Sequence, residues 1–183
     1  MRTLNLHHGI NISDAFMQKI TKCMQDDNAD DSWQLIDPHS KKIIETVSAR
    51  DLWQRILELR MQTGEPYLIF TDTAEKALPH WLKAKNLHIN GSNLCTEIFL
   101  PTNAQRTAVC CLSSLNLEYF DEWRHDSQFI DDVMEFLDNV LQYFIEHAPN
   151  SIKRAKLSAF KERSVGLGAL GFHSYLQKEG DPL

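Results

Sequence analysis

The sequence predicts an α/β fold, on three observations. Stripes of apolar residues at helical spacing alternate with short apolar runs bounded by turn formers, as in chains that lay helices against strands. The composition, 43% apolar and 24% charged, is that of an ordinary globular protein. No internal repeat or low-complexity linker interrupts the alternation, so residues 1–183 are expected to form one domain. A chain of 183 residues can bury roughly 70% of the surface its unfolded form exposes.

Ser13 or Asp14 can cap a first helix, in which Ala15, Phe16, Ile20, Cys23 and Met24 fall at helical spacing. It should end before DDNADD (26–31), a solvated loop lacking the glycine and distal glutamate of a calcium loop. In SWQLIDPHSKKI, Asp37-Pro38 favours a turn over regular structure. Ser48 starts a clearer helix with Leu52, Trp53, Ile56, Leu57 and Met61 on one face, Asp51 at the capping-box position and Gly64 as the stop. Pro66-Tyr67-Leu68-Ile69-Phe70 reads as a strand covered on both faces. Two more strand candidates follow, at 87–101 and 107–117. The longest helix spans about Gln128 to His147; its stripe of Phe129, Ile130, Val133, Phe136, Leu137, Val140, Leu141, Phe144 and Ile145 must pack on something large.

Charge and cysteine usage narrow the function. A net charge of −6 and a pI near 5.7 give no drive toward nucleic acid or anionic membrane, so any nucleotide handled is a small molecule. Cys23, Cys95, Cys110 and Cys111 form no CxxC pair and are too few for a secreted disulfide framework. The N-terminal MRTLNLHHGINIS lacks a leader-length apolar stretch, and no window has the length of a membrane span. These features imply a cytoplasmic protein.

In an extended strand, Asn93, Cys95 and Glu97 would present an amide, a thiol and a carboxylate in one row, opposite Leu94, Thr96, Ile98 and Leu100. Such a row suits chemistry on a hydroxylated substrate: the amide orients hydroxyls, the thiol takes a hydrogen atom or attacks, the carboxylate acts as base. Spacing alone equally describes a strand with one polar face and an incidental cysteine, which is the commoner situation. Cys110 and Cys111 must point to opposite faces, so at most one shares a site with Cys95. The histidines form no i, i+4 pair and no HExxH, so no zinc site is expected. Gly166-Leu167-Gly168-Ala169-Leu170-Gly171 matches GxGxxG formally, but a basic helix-like stretch (151–163) precedes it, leaving only Ser164-Val165 for a strand. Glycines permitting a tight turn and close packing of the following helix are the preferred reading. The basic residues Lys153, Arg154, Lys156, Lys161 and Arg163 suit a solvated helix face.

Together GSNLCTEIFLP (91–101), TAVCCLSSLNLEYFDEW (107–123) and RSVGLGALGFHSYL (163–176) resemble the large catalytic subunit of class I ribonucleotide reductase, in the family's order. RMQTGEPYLIFTDT (60–73) resembles the stretch before that family's active-site loop. The resemblance implies part of a ten-stranded α/β barrel with a cysteine at the tip of an interior finger loop, so the segment around it need not be a regular strand throughout. It puts the transient thiyl radical on Cys95, the base for the substrate 3′-hydroxyl on Glu97, the ribose-binding amide on Asn93 and a reducing thiol on Cys110, with Cys111 as packing. Solvent exclusion is part of such chemistry, because water would quench a thiyl.

The family subunit is several times longer, and this chain looks like an interior slice of it. The upstream cysteine partner of Cys110, the specificity loops, the substrate-phosphate loop, the radical-relay tyrosines and the C-terminal cysteines are not found. The resemblance therefore implies a chain inactive alone, working with complementary large-subunit fragments and a ribonucleotide substrate. It implies no cofactor in this chain, a radical-generating small subunit that carries one, and thioredoxin or glutaredoxin as reductant. The alternative is a non-catalytic barrel fragment that binds or modulates a reductase subunit.

Overall fold

The computed structural model describes residues 5–182; the first four residues of the stretch inspected for a leader lie outside them. The chain divides into two compact units, Met1–Thr102 and Asn103–Leu183.

In the first unit, β1 (Gly9–Ile12) pairs in parallel with β4 (Tyr67–Phe70), Ile10 beside Leu68 and Ile12 beside Phe70. Between them run α1 (Asp14–Gln25), the antiparallel hairpin β2 (Ser32–Ile36) and β3 (Ile43–Ser48), and α2 (Ala49–Thr63). Both predicted caps form: Ser13 Oγ accepts the Phe16 N–H at 3.2 Å, and Ser48 Oγ accepts the Asp51 N–H at 3.0 Å. Gly64 closes α2 with φ 78°, its N–H bonded to the Arg60 carbonyl. Ile12, Phe16, Ile20 and Ala49 form the core, with Trp33 and Trp53 edge-on to Phe16 at 5.0 and 6.2 Å. Met24 and Met61 lie outside it, 81% and 89% exposed, so each helix buries a narrower stripe than its periodicity suggested.

The turn expected at Asp37-Pro38 forms, and it joins two strands that were not anticipated: Asp37 Oδ1 accepts the N–H groups of His39 and Ser40, and Trp33 and Leu35 alternate inward along β2. One expectation for this unit changes. β4 is not fully covered on both faces, since only Ile69 is buried and Phe70 is 43% exposed. The acidic loop is tied down as well as solvated. Lys19 Nζ donates to Asp30 at 2.8 Å, Ser48 Oγ to Asp31 at 2.6 Å, and Arg50 reaches Asp27.

After β4 come α3 (Thr71–Ala77) and α4 (His80–Lys83), which the sequence reading did not anticipate. Leu78, Leu82, Leu87 and Ile89 make a second small core, with Phe99 against it. Residues 87–101 form no ladder. Leu87 and Ile89 do alternate inward, so the strand-like pattern records extended backbone lacking a ladder partner among the described residues.

In the second unit β5 (Cys111–Asn116) pairs in parallel with β6 (Val165–Leu170). α5 (Phe120–Trp123), α6 (Phe129–His147) and α7 (Lys153–Glu162) lie between them, and α8 (Phe172–Glu179) follows. α6 keeps its predicted bounds, but its stripe is only half used: Leu137 and Leu141 are buried, while Phe136 is 63% exposed. The glycine motif is itself strand β6, so it cannot be the strand-to-helix turn that binds a dinucleotide phosphate. Only Gly171, with φ 72°, makes the tight turn, into α8.

Candidate active site

Asn93, Cys95 and Glu97 sit on one loop rather than on the face of a strand. Asn93 closes it: its N–H donates to the Ile98 carbonyl at 3.2 Å, and its Oδ1 accepts the Ile98 N–H at 3.1 Å. The Asn93 carbonyl takes the Thr96 N–H at 3.2 Å and the Ser92 hydroxyl at 2.7 Å. Thr96 adopts φ 67°, a left-handed conformation unusual for a β-branched residue, and this reverses the chain at the tip. Cys95, beside it, is an exposed free thiol, and Glu97 is also exposed; Asn93 is half-buried. The one-row expectation is therefore replaced by a turn, because a side-chain amide satisfies the backbone group that a ladder would have used.

Thr96 also lines an apolar hollow of about 450 Å³ with Phe70, Leu78, Ile89 and Phe99. Behind the loop, Glu75 of α3 accepts the Ile89 N–H at 2.8 Å and contacts His88 Nδ1 at 2.8 Å. These contacts hold the Glu75 carboxyl below the ordinary carboxylate range, the Ile89 N–H being the larger cause. Sequence reasoning placed Thr96 and Ile98 only on the face opposite the polar row and passed over Glu75; the asparagine at the loop's start was the one hint of a side-chain-closed turn.

Cys110 belongs to the second unit, immediately before β5, where its thiol donates to the Cys111 carbonyl at 3.7 Å. Leu112 and Ser114 lie opposite Gly166 and Gly168 in register, and a Cβ at Gly166 would come 3.8 Å from Cys110 Sγ. Cys111 is half-buried, and burial pushes its thiol pKa up, so less of it is the reactive thiolate. The preceding segment is fastened by Arg106, whose Nη1 bonds Glu162 at the end of α7. The Glu162 side chain is almost wholly buried, and its Oε2 has no hydrogen-bond partner among the described residues. Among the described residues no three His, Cys, Asp or Glu side chains gather as metal ligands, and no helix is long and apolar enough to cross a membrane.

The sequence and the fold have counterparts in known proteins. The family model described as ribonucleotide reductase, barrel domain, matches residues 1–183. The ribonucleoside-diphosphate reductase large subunit of Invertebrate iridescent virus 3 is 44% identical over 97% of this chain and 36% of its own length. A Frog virus 3 protein is 53% identical over 99% of this chain and 31% of its own length. Among solved structures, the Actinobacillus ureae class Id ribonucleotide reductase alpha subunit superposes with a TM-score of 0.76 at 36% identity, over 96% of this chain and 30% of that one. The chain thus spans about a third of the length of the curated relatives it matches. On the whole-length family match, the shared sequence and the shared fold, the chain belongs to the ribonucleotide reductase large-subunit family and forms part of its α/β barrel.

Proposed function

We propose that this chain supplies the radical-bearing part of a ribonucleotide reductase large subunit, and that ribonucleotides are reduced once complementary large-subunit fragments complete the barrel. The observation that carries the reading is the Asn93–Ile98 loop, which turns Cys95 out at its tip within the family's SNLCTE block. The exposure of Cys95 supports the need for further chain, since a thiyl radical must be shielded from water.

In this proposal the Cys95 thiyl takes the hydrogen atom from C3′ of the ribose, forming S–H and breaking C3′–H, while Glu97 accepts the 3′-hydroxyl proton. The 2′-hydroxyl leaves as water. Cys110 and a second thiol from another part of the assembly give one hydrogen to C2′ and one to the departing hydroxyl, and end as a disulfide. Cys95 then returns its hydrogen atom to C3′ and Glu97 returns its proton to O3′, restoring the 3′-hydroxyl and both side chains. The radical reaches Cys95 from a separate small subunit, and thioredoxin or glutaredoxin reduces the disulfide. The name of the iridescent virus relative favours ribonucleoside diphosphates as substrates.

Reconstitution with and without this chain tests the reading. Complementary fragments plus small subunit should form deoxyribonucleotide only when the chain is present. Turnover by the other fragments without this chain, with binding that only changes its rate, would replace the proposal with the non-catalytic, modulating role.

A further inference from the structure

The second unit carries two exposed helix faces of opposite charge. α6 has Asp131, Asp132, Glu135, Asp138 and Glu146 and no lysine or arginine, whereas α7 has Lys153, Arg154, Lys156 and Lys161, its one acidic side chain being the buried Glu162. On α6, the exposed Phe136, Val140 and Tyr143 recur at heptad spacing, in a stripe roughly 110° round the helix from the buried Leu137 and Leu141. Asp132, Glu135 and Glu146 border that stripe and are exposed too. On α7, the exposed Leu157 and Phe160 lie opposite the buried Ala155, Ser158 and Ala159, among Lys153, Arg154 and Lys161. Asp138 and Arg163 neutralise each other at 2.6 Å, but Asp132, Glu135, Lys153 and Arg154 make no ion pair among the described residues. Beside Leu157, a hollow of about 450 Å³ is lined by Ala104, Gln105, Lys153 and Arg154. It has room for an aromatic side chain, and cations at its rim can lie over a ring face.

We infer that these faces are the two halves of a self-association surface, the apolar stripe of α6 being covered by the α7 face of a second copy of this chain. Each copy offers both halves, so a two-fold pair makes the contact twice, α6 on α7 and α7 on α6. The α6 acids meet the α7 bases, and one α6 ring enters the hollow beside Leu157. Like faces repel, which sets the pairing of unlike ones. Three exposed apolar side chains on one face and two on the other fall short of the roughly 800 Å² per partner of a stable complex, so the association is weak and the dilute chain is monomeric. The contact does not depend on the proposed reductase function.

Sedimentation equilibrium of the full 183-residue chain tests this. Wild type should pass from monomer toward dimer between roughly 10 μM and 1 mM. Phe136→Lys sets a cation against α7 and Phe160→Glu an anion against α6, so each alone should weaken association at least about tenfold. Both sites are exposed, so both variants should keep the wild-type circular dichroism. Mixed in equal amounts, the two variants should form a heterodimer at concentrations where neither self-associates, because the intact α6 of one meets the intact α7 of the other. A wild type still monomeric at about 1 mM would overturn the inference. So would a folded variant that dimerises like wild type, or a mixture that stays monomeric. Should wild type stay monomeric while Phe136→Lys blocks joining of the complementary large-subunit fragments, those fragments cover the α6 stripe and the second copy is excluded.

Discussion

The carboxylate of Glu75 on α3 receives the backbone N–H of Ile89 at 2.8 Å, fastening the segment that leads into the cysteine loop to a helix. The bond lowers the Glu75 carboxyl below its ordinary value of 4.5. Because the folded value is the lower one, the anchor contributes stability above that pH and loses it as pH falls through the folded value. Thermal unfolding of wild type and Glu75→Ala should therefore differ most near neutrality and converge in acid. A gap that widens on acidification would contradict the anchor.

Gly171 and Gly166 should respond differently to alanine. At Gly171 a Cβ would meet Asn116 Oδ1 at 2.3 Å and the Glu118 backbone nitrogen at 3.1 Å, with φ at 72°. The left-handed conformation alone costs about 1–2 kcal/mol. At Gly166 the nearest atom, Leu112 Cδ2 at 2.6 Å, ends an exposed side chain that can turn away. Urea unfolding should place Gly171→Ala well below wild type and Gly166→Ala between them.

The two faces of α6 should also separate. Leu141 is 0% exposed, and Leu141→Ala should cost about 2–5 kcal/mol in chemical denaturation. Phe136, 63% exposed, should change stability of the isolated chain by no more than about 0.5 kcal/mol when truncated. Comparable losses at both positions would mean that the outer face is covered.

Thiol reactivity should follow burial. Cys95, exposed, should alkylate first; Cys111, its pKa raised by burial, should lag; and Cys23 should react only on unfolding. Time-resolved peptide mapping reads this order, and early labelling of Cys23 would contradict the α1 packing.

Local signals were legible in the sequence wherever a short-range bond decides the structure. Ser13 and Ser48 cap the helices they were expected to cap, and Gly64 stops α2, because those contacts lie within one helical turn. β1 was not legible: Gly9–Ile12 is too short to announce itself, and its partner, β4, lies more than 50 residues along the chain. Residues 87–101 misled for the converse reason, since inward alternation of Leu87 and Ile89 says nothing about a ladder partner. For the site, residue types could be picked out but their geometry could not. Asn93, Cys95 and Glu97 were singled out as a set, but that the Asn93 amide would close a turn depends on Thr96 accepting φ 67°, which residue preference argues against.

The central claim is that Cys95 carries the reaction, and replacing it in the reconstituted assembly tests this most directly. Deoxyribonucleotide formation should vanish in Cys95→Ala while the fragments and small subunit still co-elute with this chain; undiminished turnover in that assembly would contradict the account.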